Sequence, residues 1–424
     1  MRGLRVDGPR LRAYGGPDAM SNVQSPPMLP LPGTPPAGVS PQPRDPVSAV
    51  DQQKIRRTRT GLIAHDPAQA QPGYTLFTPL SGDGTVYLVD MYGNVVHTWR
   101  LPYRPGLHGH LLRNGHLLYG GKVMHDLARF EAWPRVKGGA VLEVDWSGRV
   151  LWEVRHPDHH HDARRLRNGN VVLLCSRPLP AELIGRIQGG IPGTEVGGTM
   201  YGDYIVEMTT GGQVVWEWRS WEHLDPAIHS ITPQDRRAEW THANAVAETE
   251  DGNLVVSFRN ISTIVMVEPA TGKIVGRLGS PVLAQQHDPR PLPNGNLLIF
   301  DNGTHRRDHP ATFSRVIEVD PRTSTIVWEY TDQSLFDFFS PYVSSAQRLA
   351  NGNTLICEGC HGRIFEVTPK REVVWEYVSP YFVEEPFHMR GLGDSEEPVA
   401  TGLNNWIFRA FRYTAEEIEA AQSA

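Results

Sequence analysis

"HDARRLRNGNVVLL", His161 to Leu174, sets the reading of the whole chain. Its Asn-Gly pair sits between two apolar runs. Both turn residues must accept positive φ, which makes this the strongest short hairpin signal. The stretch recurs. "HDPRPLPNGNLLIF" starts at His287, and "SSAQRLANGNTLIC" starts at Ser344 with serine in place of histidine. "HGHLLRNGHLLYG" starts at His108, one residue shorter before its turn. "HANAVAETEDGNLVVSF" starts at His242, with two extra residues before its turn. Each copy reads as strand, tight turn, strand.

A second hairpin follows each copy: Val141–Val154, Tyr204–Trp218, Ile264–Leu278, Val316–Tyr330 and Ile364–Tyr377, with an earlier one at Val86–Trp99. These alternate β-branched and aromatic residues around polar or Gly-containing turns. Trp152, Trp216, Trp328 and Trp375 close four of them, and blade packing accounts for those rings. Two hairpins make four strands. Six such units spaced about fifty residues apart read as an all-β, six-bladed β-propeller with four-stranded blades. The last blade is closed by N- and C-terminal strands, which leaves no open sheet edge. Phe387–Tyr413 is expected to supply its first half and the hairpin from Tyr74 to Trp99 its second.

Residues 1–72 differ from the rest. The first fifty hold eleven prolines and one aromatic, Tyr14, too little apolar surface to offset chain entropy. They read as a disordered tail before a propeller at 73–413. Residues 414–424 read as a short C-terminal helix or tail, with Thr414 as N-cap. The tail carries nine Lys+Arg against five Asp+Glu. A net charge of −6 for the 424 residues then leaves −10 on the body. So acidic a body argues against a nucleic-acid partner. No run approaches transmembrane length. "SPPMLPLPGTPPAG" is broken by proline throughout, so no signal-peptide core forms and a cytoplasmic location is expected. Met20 is an alternative start, and a misassigned start would leave a periplasmic location open. Three cysteines are too few for a disulfide framework. "CEGCH", Cys357 to His361, matches a c-type haem attachment pattern. It reads equally as a strand cysteine followed by a turn cysteine.

The first strand of each blade lines a propeller's channel, so residues at one register meet around one axis. That register holds His108, His161, His242, His287, Ser344 and His388. Imidazoles crowded together resist protonation and need partners, which packing alone does not explain. Arg164, Arg165, Arg290 and Arg348 follow a few residues into their repeats. Arg259 ends the second strand of the His242 blade. Asn244 lies two residues after His242, on the same side of its strand.

"HHDARRLRNGN", "THAN", "QHDPRPLPNGNLLIFDNG" and "NTLICEG…GRIFEVT…EVVWEYVSPYF" resemble the bacterial arylsulfate sulfotransferases over about Gly61 to Tyr413. That resemblance implies a six-bladed propeller that moves a sulfuryl group from an aryl sulfate to a phenolic acceptor through a sulfohistidine, without a cofactor. It implies His287 as nucleophile, with His161, His242, Asn244 and Arg259 holding the sulfuryl oxygens and the leaving phenolate. His108, His388, Arg165 and Arg290 are the further substrate-binding candidates. The chemistry of the residues agrees. Neutral imidazole is a competent nucleophile near neutral pH. Arginine, asparagine and imidazolium donors stabilise the charge that spreads over the sulfuryl oxygens. An N-terminal accessory domain and a disulfide, features of well-known members, are not evident here. Two other classes stay open. The channel histidines also suit a transition metal (Fe, Cu, Zn or Ni) in a lyase or oxidoreductase. A non-catalytic propeller that binds a partner on its rim is the third reading. Nothing in the sequence sets an oligomeric state.

Overall fold

The computed structural model describes residues 59–387 and 400–424. Among these residues, six four-stranded antiparallel sheets form the blades of a six-bladed β-propeller. Blade 1 is Pro105–Leu111, Leu117–Lys122, Gly139–Val144 and Val150–Arg155. Blade 2 is His159–Arg165, Val171–Pro178, Tyr201–Met208 and Val214–Arg219. Blade 3 is Ala243–Glu248, Leu254–Phe258, Thr263–Glu268 and Lys273–Leu278, and blade 4 is His287–Pro291, Leu297–Asp301, Arg315–Asp320 and Thr325–Tyr330. Blade 5 is Ser345–Arg348, Thr354–Glu358, Arg363–Val367 and Val373–Val378. The first strand of each blade touches the first strand of the next, and this ring of inner strands closes on itself.

Blade 6 closes differently from the expected two-plus-two split. Its order is Ile407–Tyr413, Tyr74–Pro79, Thr85–Val89, Val95–Arg100, so the C-terminus supplies one strand and the N-terminal segment three. Ile407–Tyr413 is therefore the channel strand of this blade. Its alternation marks a strand but not which neighbour it pairs with. His388, expected at that channel register, lies outside the described residues.

Order also begins before residue 73. Gly61–His65 adds a fifth strand to blade 5, with Leu62 opposite Tyr377 and His65 opposite Trp375. The composition of residues 1–72 is dominated by prolines in the first fifty and hid this short apolar run. Residues 1–58 lie outside the described residues. The C-terminal helix Ala415–Ser423 starts at Thr414, where a full capping box joins Thr414 and Glu417. Its Ile418 and Ala421 pack into the core with Leu117 and Phe411.

Only the glycine of each Asn-Gly pair is left-handed, φ +87° at Gly169 and +85° at Gly295, whereas Asn168 and Asn294 are not, contrary to the expectation for both turn residues. Each glycine N–H closes a four-residue turn, Gly169 to the Leu166 carbonyl (3.0 Å) and Gly295 to that of Leu292 (2.9 Å). The turn asparagines then reach the third strand of their own blade. Asn168 and Asn170 donate to Glu207 at 2.8 and 2.6 Å, and Asn294 and Asn296 to Glu318 at 3.0 and 2.7 Å. Indole N–H groups tie blade to blade. Trp99 donates to the Asp145 carbonyl (3.2 Å), Trp218 to Gly272 (2.8 Å), Trp328 to Pro369 (3.2 Å) and Trp375 to Met91 (2.9 Å). Trp152 instead bonds Glu143 within its own blade at 2.8 Å, and Trp216 lies partly buried on the core.

The insert at residues 181–200 is partly ordered as a short helix, Ala181–Ile184, and a strand, Gly189–Ile191, that pairs in parallel with Ile231–Arg236. The buried Arg237 donates to the carbonyls of Ile187 (3.0 Å), Gly189 (2.7 Å) and Ile184 (3.1 Å), which pins the insert in place. Cys357 lies in a strand and is buried, and Cys360 lies in the single turn Gly359–His361. They are the strand and turn cysteines of the simpler reading.

Candidate functional site

Four of the six expected channel positions carry a described histidine, and three of those, His161, His242 and His287, are neighbours at one end of the channel. The inner strands begin with a kink. His161 and His242 have φ +51°, Asp288 has φ +49°, and each strand also shifts register near its start. Bulges of this kind re-aim side chains, and non-glycine residues hold such backbone only where surrounding structure enforces it. His161 and His242 meet edge-on, with ring centroids 4.7 Å apart. The Phe408 ring lies 6.1 Å from His161 and 6.2 Å from His287.

Each of these imidazoles has its Nδ1 occupied. His287 Nδ1 lies 2.7 Å from Asn302 Oδ1. Asn302 spends both amide hydrogens on the carbonyls of Ser340 (2.7 Å) and Val343 (3.1 Å). Its oxygen must therefore face the ring as an acceptor. His287 Nδ1 donates, and Nε2 keeps its lone pair. His242 Nδ1 lies 2.6 Å from the Glu239 carboxylate. His161 Nδ1 lies 2.7 Å from His160 Nδ1, and His160 Nε2 lies 3.1 Å from Asp203 Oδ1, off the ideal hydrogen-bond line. The carboxylate draws the His160 proton to Nε2. His161 then donates through Nδ1, which again leaves Nε2 free.

Burial, reinforced by the Arg259 charge, holds His287 well below the usual imidazole pKa. Burial and the neighbouring His242 do the same to His161. Both rings are neutral in the ordinary pH range. Arg259 bonds Asn260 Oδ1 at 3.1 Å and lies 5.0 Å from the centre of the Tyr342 ring. Asn244 donates to the Gln286 carbonyl at 2.8 Å, and its buried Oδ1 has no partner among the described residues. His161, His242, His287, Asn244 and Arg259 thus come from blades 2, 3 and 4 to one end of the channel.

The remaining candidates go elsewhere. His108 stacks on Phe408 at 5.6 Å, and its Nε2 lies 3.0 Å from Asp162 and 2.9 Å from Arg409. It belongs to an ion network that fills the channel under Phe408, where burial, then Arg409, lowers its pKa to about 4. Arg409 is fully buried and reaches Asp162 Oδ2 and Asp288 Oδ1 at 2.9 Å each. Arg290 bonds Asp288 at 2.7 Å and lies over the Phe411 ring at 4.6 Å. Arg165 does not join the histidines. It stacks on Trp152 at 5.2 Å and bonds the Gly169 carbonyl, so its place is structural. Arg348 likewise pairs with Glu318 at 2.8 Å. The Ser344 hydroxyl is used by Ser340 and the Gly359 amide.

Sequence reasoning missed Phe408, Arg409, Asp162, Asp288, Asn302, Glu239, His160 and Asp203. Five of them stood beside recognised signals: His160, Asp162 and Asp288 next to motif histidines, Asn302 within "FDNG" and Glu239 three residues before His242. Among the described residues no three His, Cys, Asp or Glu side chains gather as a metal-ligand set. No helix among them is long and apolar enough to cross a membrane.

Residues 135–380, more than half the chain, match the model of the arylsulfotransferase (ASST) family. This chain is a member of that family. The arylsulfate sulfotransferase AssT of Escherichia coli (strain CFT073) is 24% identical over 313 residues, covering 55% of this chain and 51% of the relative. This arylsulfotransferase family member therefore spans about half the length of the curated relative it matches. Among solved structures, a protein of unknown function from Bacteroides caccae aligns with a TM-score of 0.48 at 14% identity, over 81% of this chain and 99% of that one. A virginiamycin B lyase from Staphylococcus aureus aligns at 0.41 and 10% identity, over 76% and 89%. The β-propeller domain of Cps50 from Myceliophteria thermophila aligns at 0.42 and 13% identity, over 76% and 91%.

Proposed function

We propose that this protein transfers a sulfuryl group from an aryl sulfate to a phenol, with His287 as the residue that carries the group between them. The single observation behind this reading is the state of His287. Its Nδ1 is bound to Asn302, burial keeps it neutral, and Nε2 has no partner among the described residues. A buried neutral imidazole with its lone pair free is a nucleophile that needs no prior deprotonation. Family membership and the AssT relative support a sulfotransferase-like role for such a nucleophile.

In the proposed first half-reaction Nε2 bonds to sulfur as the sulfur–aryl oxygen bond breaks, and the bonding pair leaves with the phenolate. In the second, an acceptor phenol attacks sulfur and gives up its proton to a neighbouring base as the nitrogen–sulfur bond breaks, and the bonding pair returns to Nε2. Arg259, whose Nε has no partner among the described residues, offers a charged donor for the sulfuryl oxygens, which carry the developing charge; Asn244 has one amide hydrogen left beyond the Gln286 carbonyl to add to it. The reaction as written draws on no cofactor.

The test is incubation with 4-nitrophenyl sulfate and phenol, followed by mass analysis of the stopped protein. A sulfate adduct confined to the peptide holding His287 is expected, with phenyl sulfate as product. His287→Ala should lose adduct and transfer together. Nitrophenol release that survives His287→Ala would remove the nucleophile. Arg259→Met should lower kcat/KM by about 100-fold or more, the size seen when one oxyanion donor is lost.

A further inference from the structure

The imidazoles His161, His242 and His287, neighbours at one end of the channel, are backed by chemically different partners. His287 is backed by an amide, Asn302, which accepts one hydrogen bond and cannot take a proton. His242 is backed by a carboxylate, Glu239, at 2.6 Å, nine-tenths buried and joined to it across one turn of backbone. A carboxylate at Nδ1 stabilises imidazolium, whereas an amide does so far less. The partner of each ring therefore decides whether the ring carries a proton or a lone pair.

We propose that Asn302 and Glu239 are positioning residues that divide the reaction between two histidines: Asn302 keeps His287 the nucleophile, and Glu239 makes His242 the proton carrier. This rests on the sulfuryl-transfer reading above. In the first half-reaction His242, protonated at Nε2, gives that proton to the departing phenolate oxygen. In the second, neutral His242 takes the proton of the acceptor phenol as its oxygen bonds to sulfur. The proton returns to Nε2 and the cycle closes. The sulfurylated His287 keeps its Nδ1 proton, because the Asn302 oxygen cannot remove it. The ring stays cationic and so remains a good leaving group.

The groups around both rings fit this division. His242 faces Glu239 from its own segment and His161 from blade 2, with His287 and Arg259 from blades 4 and 3 beside it. His160 and Asp203 of blade 2 stand behind His161. His287 faces Arg259, His242 and Arg409, all of which disfavour its protonation. Glu239 bonds His242 alone, and His287 has the Asn302 amide in that place. The insert holds Glu239 in register. Arg237, two residues earlier, is clamped by the insert carbonyls.

The test uses the full chain and a series of aryl sulfates whose phenols differ in acidity, from 4-nitrophenyl to phenyl sulfate. Glu239→Gln should slow phenyl sulfate at least about tenfold more than 4-nitrophenyl sulfate, because only the poorer leaving group needs the proton. A purely structural role would slow both equally, and an unchanged dependence on leaving-group acidity overturns the proposal. Should Glu239→Gln not fold, Glu239→Asp keeps the charge at shorter reach and should give an intermediate slope. Asn302→Asp should move the acid limb of kcat/KM to higher pH, since a carboxylate would now hold His287 protonated. An unmoved limb counts against Asn302 in this role. A wild-type protein inactive with every aryl sulfate removes the sulfuryl-transfer reading, and this proposal with it. Wild-type transfer with an unaltered slope removes the division alone.

Discussion

Arg409 sits in the channel with no exposed surface, held between Asp162 and Asp288. Arg164 approaches the same two carboxylates at 3.5 and 3.8 Å. Burial works to raise the Asp162 carboxyl, but Arg164 and Arg409 outweigh it and keep it well below the usual range. Removing one member of such a cluster leaves a charge in a dry place without its partner. Arg409→Leu should therefore cost about 3–5 kcal/mol, read from urea unfolding, although Arg409 contacts none of the solvent. Arg409→Lys should fall between, because it keeps the charge but not the planar fork that spans two carboxylates. A loss under about 1 kcal/mol would mean that the network does not hold the channel together. This residue was not legible in the sequence, and the reason is local. "IFRAFRY" offers Arg409 and Arg412, three apart, so alternation sends one to each side without saying which is the channel. Arg412 in fact leaves the channel for Glu366, at 3.2 Å. His161, His242 and His287 were legible because three independent hairpins place them at one register, and repetition averages out local ambiguity. Their backing partners carried no such repetition.

At the scale of the element, the Asn-Gly hairpins were readable because the constraint is local: each tight turn ends on a residue with positive φ, which glycine supplies wherever the turn occurs. Pairing between distant segments obeys no local rule. That is why the strand Gly61–His65 and the three-plus-one closure of blade 6 emerged only from the structure. Gly61–His65 has a consequence that can be measured. It covers the outer edge of blade 5, and Leu62 packs on the core that contains Trp375 and Tyr377. Ala64, past a register shift in the same strand, is exposed. Leu62→Asp should cost about 2 kcal/mol by burying a charge against apolar rings, whereas Ala64→Asp should stay within about 0.5 kcal/mol. Thermal unfolding of the two variants side by side checks the register. Equal effects would mean that the strand does not pair as described.

Across the whole molecule, the buried histidines of the inner strands tie its stability to pH. Burial, then Arg409, lowers His108 to about 4, and burial, then His160, lowers His159 to about 3. His110, His161 and His287 are also held well below the ordinary value, burial being the main cause in each. The unfolded chain protonates these rings near pH 6.5, while the folded chain does not. The unfolded state therefore binds more protons between those limits, and stability falls as pH drops from about 6.5 toward 4. For His108 alone the shift of about 2.5 units corresponds to about 3 kcal/mol, all of it present above pH 6.5. Denaturation midpoints measured from pH 7.5 down to 4.5 should decline steadily over this window. The same burial keeps His287 neutral through it, so donor-side kcat/KM should hold until the protein itself unfolds. His108→Gln cannot titrate, and it should flatten the decline while lowering stability at pH 7.5 through the lost contacts with Asp162 and Phe408. A flat profile in the wild-type protein would mean that the channel admits enough water to solvate protonated rings. The neutral nucleophile inferred for His287 would lose its physical basis at the same time.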